Sequence, residues 1–390
     1  MFQRVLIIVL DGVGIGALPD AAKYGDHATA TLQHVGRCVG GLTLPTLQKL
    51  GLGRIEPIAG VSSVPSPMGC WGKMAEKSAG KDSVSGHWEL AGIIQKQPFA
   101  TFPDGFPDSI ISSFVAESGF IPLGNIAASG TDILRVLGED HLRTGQPIVY
   151  TSSDSVFQIA AHEQILPPEH LYDLCRKVKQ ILTPWNVCRV IARPFKGTSA
   201  SDFYRTSGRR DFAVKPPQPN LLSLMQGEGL ETLAVGKIHD LYSGEGFTDR
   251  FASKTNAEGM KAMLMALKKI KRGLVMTNLV DFDMLYGHRR DAVGFADALQ
   301  EFDAWLPALL DVMLPDDLLL ITADHGCDPT AVGTDHTREY VPLLAYAKTM
   351  QHTVSLGVRQ SLSDVGATVC DNFGLRLANG SSFLVDIENK

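Results

Sequence analysis

Three apolar runs that each end at an aspartate limit the fold of this chain more than any other feature. The runs are RVLIIVL (4–10), GLVMTNLV (273–280) and LLLITA (318–323), followed by Asp11, by Asp281 and Asp283, and by Asp324. Continuous apolar runs rich in β-branched residues are typical of parallel strands that are buried on both faces. Ligands of open α/β sheets bind beyond the carboxyl ends of the strands. The pattern therefore predicts that the three acidic clusters meet at one edge of one sheet.

Stretches with helical periodicity alternate with these runs. In AEGMKAMLMALKKIK (257–271) apolar residues recur at 260, 263, 264 and 267, which is the spacing of one helix face. The stretches 167–182 and 295–313 have the same character, and Pro307 in the latter predicts a kink or a break. Alternating strands and helices predict an α/β fold with a central, mostly parallel sheet flanked by helices.

The middle of the chain interrupts this alternation. Residues 98–216 carry strands of their own, PIVYT (147–151) and CRVIARPF (188–195), and the proline-rich VKPPQPN (214–220) forms a stiff boundary. We therefore expect a smaller α/β domain, 98–216, inserted between two parts of a core domain, 1–97 and 217–390.

Composition excludes some classes of function. The chain has 390 residues, a formal net charge of -6 and a 44% hydrophobic fraction, as expected of an ordinary globular protein. A net acidic chain argues against general nucleic-acid binding. Six cysteines without a CxxC pair favour reduced thiols and a cytoplasmic location. The longest apolar runs are too short to cross a bilayer, so no membrane partner is expected.

Six residues of metal-binding type follow the three predicted strands: Asp11, Asp283, His288, Asp324, His325 and His336. Three carboxylates and three imidazoles suit two divalent ions such as Mn²⁺ or Zn²⁺. A pair of ions stabilises both the attacking and the leaving oxygen in phosphoryl transfer. Ser83, in AGKDSVSGHWE, is a candidate nucleophile for that chemistry. The alternative is structural: helix caps, a surface histidine and an Asp-Gly turn.

Seven ordered segments carry a resemblance to the phosphopentomutase family of the alkaline phosphatase superfamily. They are LDGVGIGALPDA, GKDSVSGHWE, ASGTDIL, YTSSDSVFQIAAHE, RVIARPF, NLVDFDMLYGHRRD and ITADHG…GTDHTREYVPLL. The resemblance runs essentially end to end. It implies an alkaline-phosphatase-like core with an inserted cap.

The resemblance also implies a chemistry. Asp283, His288 and His336 would hold one Mn²⁺, and Asp11, Asp324 and His325 would hold the other. The phosphorylated residue falls on Ser83, where relatives often carry threonine, and Ser85 is its rival. Ribose 1-phosphate and ribose 5-phosphate, and their 2-deoxyribose equivalents, would interconvert through a 1,5-bisphosphate. A sugar bisphosphate such as glucose 1,6-bisphosphate would prime the enzyme, whose family role lies in nucleoside salvage.

The inserted domain would hold the sugar phosphate and exclude water, as lids do. Asp154 is a candidate for binding sugar hydroxyls, with an Asx-turn or a helix cap as its structural alternative. Arg193, Arg209 and Arg210 are candidates for gripping a phosphate through planar donor forks, and Lys237 is a further cation of this kind. The structural alternative for these cations is a solvated charged surface. The partners are small pentose phosphates, and the oligomeric state is unknown.

Three other functions fit parts of the pattern. A phosphatase or phosphodiesterase would share the metals and Ser83 but would not need a water-excluding cap. A cofactor-independent phosphoglycerate mutase would share the core but carry a different insertion. A catalytically silent metal-binding protein would not need the intact GKDSVSG loop.

Overall fold

The computed structural model of the chain describes residues 1–152 and 155–388. The chain divides into two compact units: unit 1 comprises Met1–Gln97 and Pro216–Lys390, and unit 2 comprises Pro98–Lys215. Among the described residues, no helix combines the length and the apolar character that crossing a membrane would require.

The regular elements alternate along both units. The strands are β1 Arg4–Leu10, β2 Cys70–Met74, β3 Leu123–Ala127, β4 Ile148–Thr151, β5 Val156–His162, β6 Arg189–Lys196, β7 Tyr204–Arg205, β8 Arg210–Ala213, β9 Glu231–Val235, β10 Asp249–Phe251, β11 Gly273–Leu279, β12 Asp317–Thr322, β13 Val341–Tyr346 and β14 Ser355–Arg359. The α-helices are α1 Thr31–Cys38, α2 Pro45–Leu50, α3 Ser83–Leu90, α4 Asp108–Ser118, α5 Asp132–Thr144, α6 Pro168–Ile181, α7 Leu221–Gly227, α8 Ile238–Leu241, α9 Asn256–Lys269, α10 Ala292–Val312, α11 Ser363–Asn372 and α12 Leu384–Glu388. Three 3₁₀ turns (Ala21–Tyr24, Leu52–Arg54 and Thr183–Trp185) and one π-helical turn (Phe282–Gly287) complete the described elements.

Unit 1 is built on an eight-stranded sheet in the order β10-β9-β11-β1-β12-β13-β2-β14. The strands from β10 to β12 are parallel, and β13 is antiparallel to both β12 and β2. Every residue of β1, β11 and β12 is buried, because parallel strands are covered on both faces. The predicted fold class, a mostly parallel α/β sheet flanked by helices, is confirmed.

Helix α10 corrects one expectation. Pro307 predicts a kink or a break in this segment, and the break does not occur, because the helix continues through it to Val312. A proline in a helix removes a single main-chain hydrogen bond. Here Phe302 and Leu306 before the proline and Leu309 after it are fully buried. This packing holds both sides of the helix in place and offsets the lost bond.

Unit 2 has a separate sheet in the order β3-β4-β5-β6-β7, with β8 also paired to β6. A cluster of buried aromatic side chains packs on it, and the ring centroid of Phe157 lies 4.4 Å from Phe106 and 5.8 Å from Phe114. A second cluster joins α5 to β4 through Ile133, Leu134 and Tyr150. Unit 2 therefore has a hydrophobic core of its own.

Candidate metal centre

The carboxyl ends of three adjacent strands position the acidic residues of this site. β11, β1 and β12 are neighbours in register, and they end just before Asp281, Asp11 and Ala323–Asp324 respectively. The carboxylates of Asp11, Asp283 and Asp324 are all buried. Parallel neighbours end at the same edge of a sheet, so residues more than 270 positions apart along the chain meet here.

Two groups of ligand-type atoms form at this edge. One consists of Asp11, Asp324 and His325, and the other of Asp283, His325 and His336, with the ligand atoms of each group within 4.8 Å of one another. His325 Nε2 lies 3.4 Å from Asp11 Oδ1 and 3.2 Å from Asp324 Oδ2. His336 Nε2 lies 3.3 Å from Asp283 Oδ1. All six predicted ligands are thus brought together, His288 included, since its Nε2 lies 3.2 Å from Asp283 Oδ1.

The π-helical turn Phe282–Gly287 explains how Asp283 and His288 reach one another. The main-chain N–H of His288 donates to Asp283 O at 3.1 Å, a bond between residues five positions apart. Such bonding places residues five apart one above the other, whereas an α-helix with about 3.6 residues per turn does so for residues three and four apart. The DxxxxH spacing therefore suits a π-turn, and π-turns are frequent at functional sites.

Hydrogen bonds made by Nδ1 orient two of the imidazoles, those of His288 and His325. Nδ1 of His288 lies 2.6 Å from Thr334 O, and Nδ1 of His325 lies 3.0 Å from Gly326 O. A carbonyl oxygen can only accept, so each Nδ1 carries the proton. This arrangement turns Nε2 of both rings toward the carboxylates, the usual way in which a protein presents histidine to a metal.

Cys327 lies beside Asp283 and His288. Its Sγ lies 4.0 Å from His288 Nδ1, and it forms a third cluster of ligand-type atoms with Asp283 and His288. A Cβ on Gly12 would approach Cys327 Cβ to 2.8 Å, and one on Gly287 would approach Sγ to 2.4 Å. Burial raises the pKa of the Cys327 thiol, and Asp283 raises it further. The neutral thiol packs against the two glycines.

Buried opposite charges shift the pKa values of the site in opposite directions. Burial alone would raise the pKa of Asp324, but the charge of His325 holds it well below the ordinary value. The pKa of Asp283 is likewise well below its ordinary value, because His336 and His288 outweigh burial. Burial lowers the pKa of His325, yet Asp324 and Asp11 raise it well above the usual range. The carboxylates therefore require compensating positive charge.

The donor set fits divalent cations. Asp283 Oδ1, Asp324 Oδ2 and His336 Nε2 are buried, and each is without a well-directed hydrogen bond despite close charged neighbours. Buried polar atoms are normally satisfied, so these atoms need an explanation, and a bound ion supplies one. Carboxylate oxygen together with imidazole nitrogen suits Mn²⁺ and Zn²⁺.

Helix α3 brings Ser83 to the same place. Asp82 caps the helix, with its Oδ1 accepting from Val84 N at 3.0 Å and from Ser85 N at 3.1 Å, so Ser83 is the first helical residue. Ser83 Oγ lies 3.2 Å from His325 Nε2 and 3.5 Å from Asp11 Oδ1. Ser85 Oγ instead contacts Asp82 Oδ2 and Gln95 Oε1, both at 2.6 Å. Of the two serines, Ser83 is the one beside the metal-type residues.

Lys237 is closer to this serine than its sequence context suggested. Its Nζ lies 3.2 Å from Ser83 Oγ and 3.4 Å from Asp11 Oδ2. Lys237 was a candidate for gripping a phosphate, and the structure places its ammonium group beside the Ser83 hydroxyl.

Unit 2 carries a separate cationic cluster. Burial lowers the pKa of the Arg193 guanidinium, and the positive charges of Arg209 and Arg205 lower it further. All three arginines act on the buried hydroxyl of Tyr150, whose pKa is raised by that burial. Arg193 Nε also donates to Gln158 Oε1 at 3.1 Å. Arg193 and Arg209 thus lie near one another, together with Arg205, which the sequence pattern did not single out.

Arg210, the third arginine expected to bind substrate, contacts aromatic rings instead. The guanidinium of Arg210 lies 5.2 Å from the ring centroid of Tyr172 and 5.6 Å from that of Phe212, as in a cation–π contact. Asp154 lies outside the described residues.

Two more residues at the metal-type groups were not expected. His87 Nδ1 lies 3.0 Å from Asp324 Oδ2, and Asn278 Nδ2 lies 3.1 Å from Asp11 Oδ2. The sequence offers one hint for Asn278, which is its position near the end of a strand that leads into Asp281 and Asp283.

Comparison with known proteins decides the family. The family model of the Metalloenzyme superfamily matches residues 3–377. The phosphopentomutase of Syntrophotalea carbinolica is 58% identical over 383 residues, which cover 98% of each chain. The chain belongs to the phosphopentomutase family. It is therefore an enzyme, a phosphotransferase mutase of the isomerase class.

Two further comparisons agree with this membership. A second phosphopentomutase, from Caldanaerobacter subterraneus subsp. tengcongensis, is 52% identical and covers 100% of this chain and 99% of its own. The solved structure of the PH0037 protein from Pyrococcus horikoshii is similar with a TM-score of 0.51 at 15% identity, covering 98% of this chain and 100% of its own. That likeness concerns the fold alone.

Proposed function

We propose that the chain interconverts ribose 1-phosphate and ribose 5-phosphate, and the 2-deoxyribose equivalents, through a phosphorylated Ser83 and a pentose 1,5-bisphosphate. The observation that carries the proposal is the position of the Ser83 hydroxyl, 3.2 Å from both His325 Nε2 and Lys237 Nζ. Phosphopentomutases at 50–58% identity over nearly the whole chain support the substrate class.

Two Mn²⁺ ions per chain belong to this proposal. Asp283, His288 and His336 would hold one, and Asp11, Asp324 and His325 would hold the other. The buried atoms without well-directed hydrogen bonds and the mixed oxygen and nitrogen donors support two-ion binding. Bound ions would supply Lewis acidity toward the phosphoryl oxygens and lower the pKa of the serine hydroxyl.

Each half-reaction transfers one phosphoryl group. A hydroxyl oxygen of the pentose monophosphate bonds to the phosphorus on Ser83, the bond from phosphorus to Ser83 Oγ breaks, and the hydroxyl proton ends on Ser83. The second half is the reverse transfer with the other phosphate of the bisphosphate. No water is consumed, so the net change is an isomerisation. A sugar bisphosphate such as glucose 1,6-bisphosphate would phosphorylate Ser83 at the start.

Side chains and main-chain groups around Ser83 would stabilise the negative charge of the phosphoryl group during its transfer. The ammonium group of Lys237 lies within reach of a phosphoryl group on Ser83. The first turn of α3 adds the positive end of a helix dipole, since Ser83 is its first residue. Preorganised positive charge of this kind is a large part of catalysis in phosphoryl transfer.

The inserted domain, 98–216, would bind the substrate and exclude water as a cap. The guanidinium cluster of Arg193, Arg205 and Arg209 supports phosphate binding there, because planar donor forks match phosphate oxygens. Asp154 would bind sugar hydroxyls. A cytoplasmic location completes the proposal and fits a chain whose six cysteines include no CxxC pair.

The experiment supplies ribose 5-phosphate, Mn²⁺ and a trace of glucose 1,6-bisphosphate, and follows ribose 1-phosphate and free phosphate together. We expect ribose 1-phosphate with little free phosphate, and no product from Ser83→Ala. Ser363→Ala removes another buried serine hydroxyl, far along the chain at the start of α11, and is the matched control. Free phosphate as the main product would show a phosphatase instead.

A further inference from the structure

The helix that carries Ser83 also contacts one of the proposed metal ligands. Ser83, Gly86 and His87 are spaced i, i+3 and i+4, so they share one face of α3. That face packs directly on Asp324: a Cβ on Gly86 would lie 2.3 Å from Asp324 O. The missing side chain of Gly86 therefore lets the helix approach the strand end closely enough for His87 to reach the Asp324 carboxylate.

The protonation of the fully buried His87 ring follows from its neighbours. Nδ1 lies 2.8 Å from Ser83 O and 3.0 Å from Asp324 Oδ2, and both of these oxygens can only accept. Nδ1 therefore carries a proton that faces the two oxygens, with the better hydrogen-bond geometry toward Ser83 O. Nε2 lies 3.3 Å from Asn278 Nδ2, an amide nitrogen that can only donate, so Nε2 is the acceptor.

Asn278 extends this contact to the opposite carboxylate. Its Nδ2 lies 3.1 Å from Asp11 Oδ2 as well as close to His87 Nε2, so its two amide protons serve both groups. The reverse amide orientation would point Oδ1 at a carboxylate and is unfavourable. The result is a chain of contacts, Asp324–His87–Asn278–Asp11, made entirely by buried groups.

We propose that His87 and Asn278 are positioning residues that fix the carboxylates of Asp324 and Asp11 for metal binding and tie them to the helix that carries Ser83. This inference rests on the proposed function, because it assigns Asp11 and Asp324 to one ion. Outer groups of this kind orient the ligands, and their loss typically weakens metal affinity by about 10–100-fold. Neither residue is among the six proposed ligands, so both would act through the carboxylates that they contact.

The test measures Mn²⁺ affinity directly, by the loss of the free-ion electron paramagnetic resonance signal, on purified metal-free protein. We expect His87→Leu and Asn278→Leu to weaken the binding of one of two Mn²⁺ ions by about 10-fold or more. His87→Asn keeps an N–H donor near the position of Nδ1 and should retain most of the affinity. His141→Leu removes another fully buried imidazole, from unit 2, and should leave Mn²⁺ affinity unchanged.

A kinetic measurement separates positioning from general destabilisation. In His87→Leu the Mn²⁺ concentration that gives half-maximal turnover should rise, while turnover at saturating Mn²⁺ stays within about threefold of wild type.

Unchanged Mn²⁺ affinity in both leucine variants, or a loss of affinity in His87→Asn as large as in His87→Leu, would overturn the inference. If His87→Leu does not fold, Asn278→Leu and His87→Asn decide it. A wild-type protein that binds Mn²⁺ and turns over, with variants of equal affinity, would refute this inference alone. A wild-type protein that binds no metal would refute the proposed function.

Discussion

Ser83 Oγ lies 3.2 Å from His325 Nε2, although 242 residues separate them in the chain. The serine is the first residue of α3, and the histidine follows the end of β12. Two buried elements thus bring a hydroxyl nucleophile next to an imidazole of the proposed metal site.

Asp324 should be indispensable for metal binding and turnover. Its carboxylate is fully buried beside His325 and also accepts from Gly12 N at 3.1 Å. We expect Asp324→Ala to lower turnover by at least about 10³-fold and to lose one ion per chain, with an unchanged circular dichroism spectrum. Asp316→Ala, at an exposed position just before β12, is the control. Normal turnover in Asp324→Ala would refute the assignment of the metal site.

Chelation should silence the enzyme and also destabilise it. Without cations, the buried carboxylates of Asp11, Asp283 and Asp324 depend on protonated imidazoles for charge compensation. We expect metal-free protein to melt at a lower temperature, because an ion that binds only the folded state stabilises it. Calorimetry before and after adding Mn²⁺ measures the effect. Recovery of turnover that strongly favours Zn²⁺ over Mn²⁺ would contradict the manganese assignment.

The arginine cluster of unit 2 should govern substrate affinity. Arg205 was not expected from the sequence, yet its charge acts on both Tyr150 and Arg193. We expect Arg205→Gln and Arg193→Gln to raise the KM for ribose 5-phosphate by about 10-fold or more, through loss of a charge-assisted hydrogen bond. Steady-state kinetics measures this. Arg135→Gln, on the exposed face of α5, should behave as wild type.

Arg210, the neighbour of Arg209 in the chain, offers a comparison for the effect on KM. Its guanidinium lies over Tyr172 and Phe212, so Arg210→Gln should change KM less than Arg205→Gln does. An equal or larger effect of Arg210→Gln would show that the grouping of Arg193, Arg205 and Arg209 is wrong.

The pH dependence of stability should contain a contribution from His141. Burial lowers the pKa of His141 from its ordinary value of 6.5, and its Nε2 accepts from His162 N at 2.8 Å. The His141 imidazole therefore binds a proton more readily in the unfolded chain than in the folded one. Its contribution to the free energy of unfolding is fully present above pH 6.5 and is lost as the pH falls toward the folded-state pKa. Each unit of pKa difference is worth about 1.4 kcal/mol.

Urea unfolding at pH 7.5 and pH 5.5 tests this contribution. Wild-type protein should lose more unfolding free energy between the two pH values than His141→Gln, whose amide oxygen still accepts from His162 N. The exposed His170→Gln, also in unit 2, is the control. An identical pH dependence in wild type and His141→Gln would contradict the prediction.

Strands and helices that follow one strong pattern were predictable from the sequence. The run 4–10 coincides with β1, and the stretch 167–182 differs from α6 by one residue at each end. Burial on both faces forces a strand to be apolar throughout, and burial on one face gives a helix its periodicity. The meeting of Asp11, Asp283 and Asp324 was predictable because parallel strands end together.

Features that depend on contacts between distant segments were not predictable. The π-turn that aligns Asp283 with His288 is one of these features, since the local sequence is compatible with an ordinary helix. From the sequence, His87 could not be told from a structural histidine, because its role depends on Gly86, which allows α3 to approach Asp324. Arg205 lay outside the predicted strands, and β7 carries it toward Arg193. In each case the informative neighbour is far away in the sequence or has no side chain.

The position of the phosphoryl group is the most direct test of the account. Protein incubated with glucose 1,6-bisphosphate and Mn²⁺ is digested with trypsin, and the peptide 82–96, which contains both Ser83 and Ser85, is sequenced by fragmentation mass spectrometry. We expect one phosphoryl group, on Ser83, that disappears when ribose 5-phosphate is added. A group on Ser85, or no phosphopeptide during active turnover, would contradict the account.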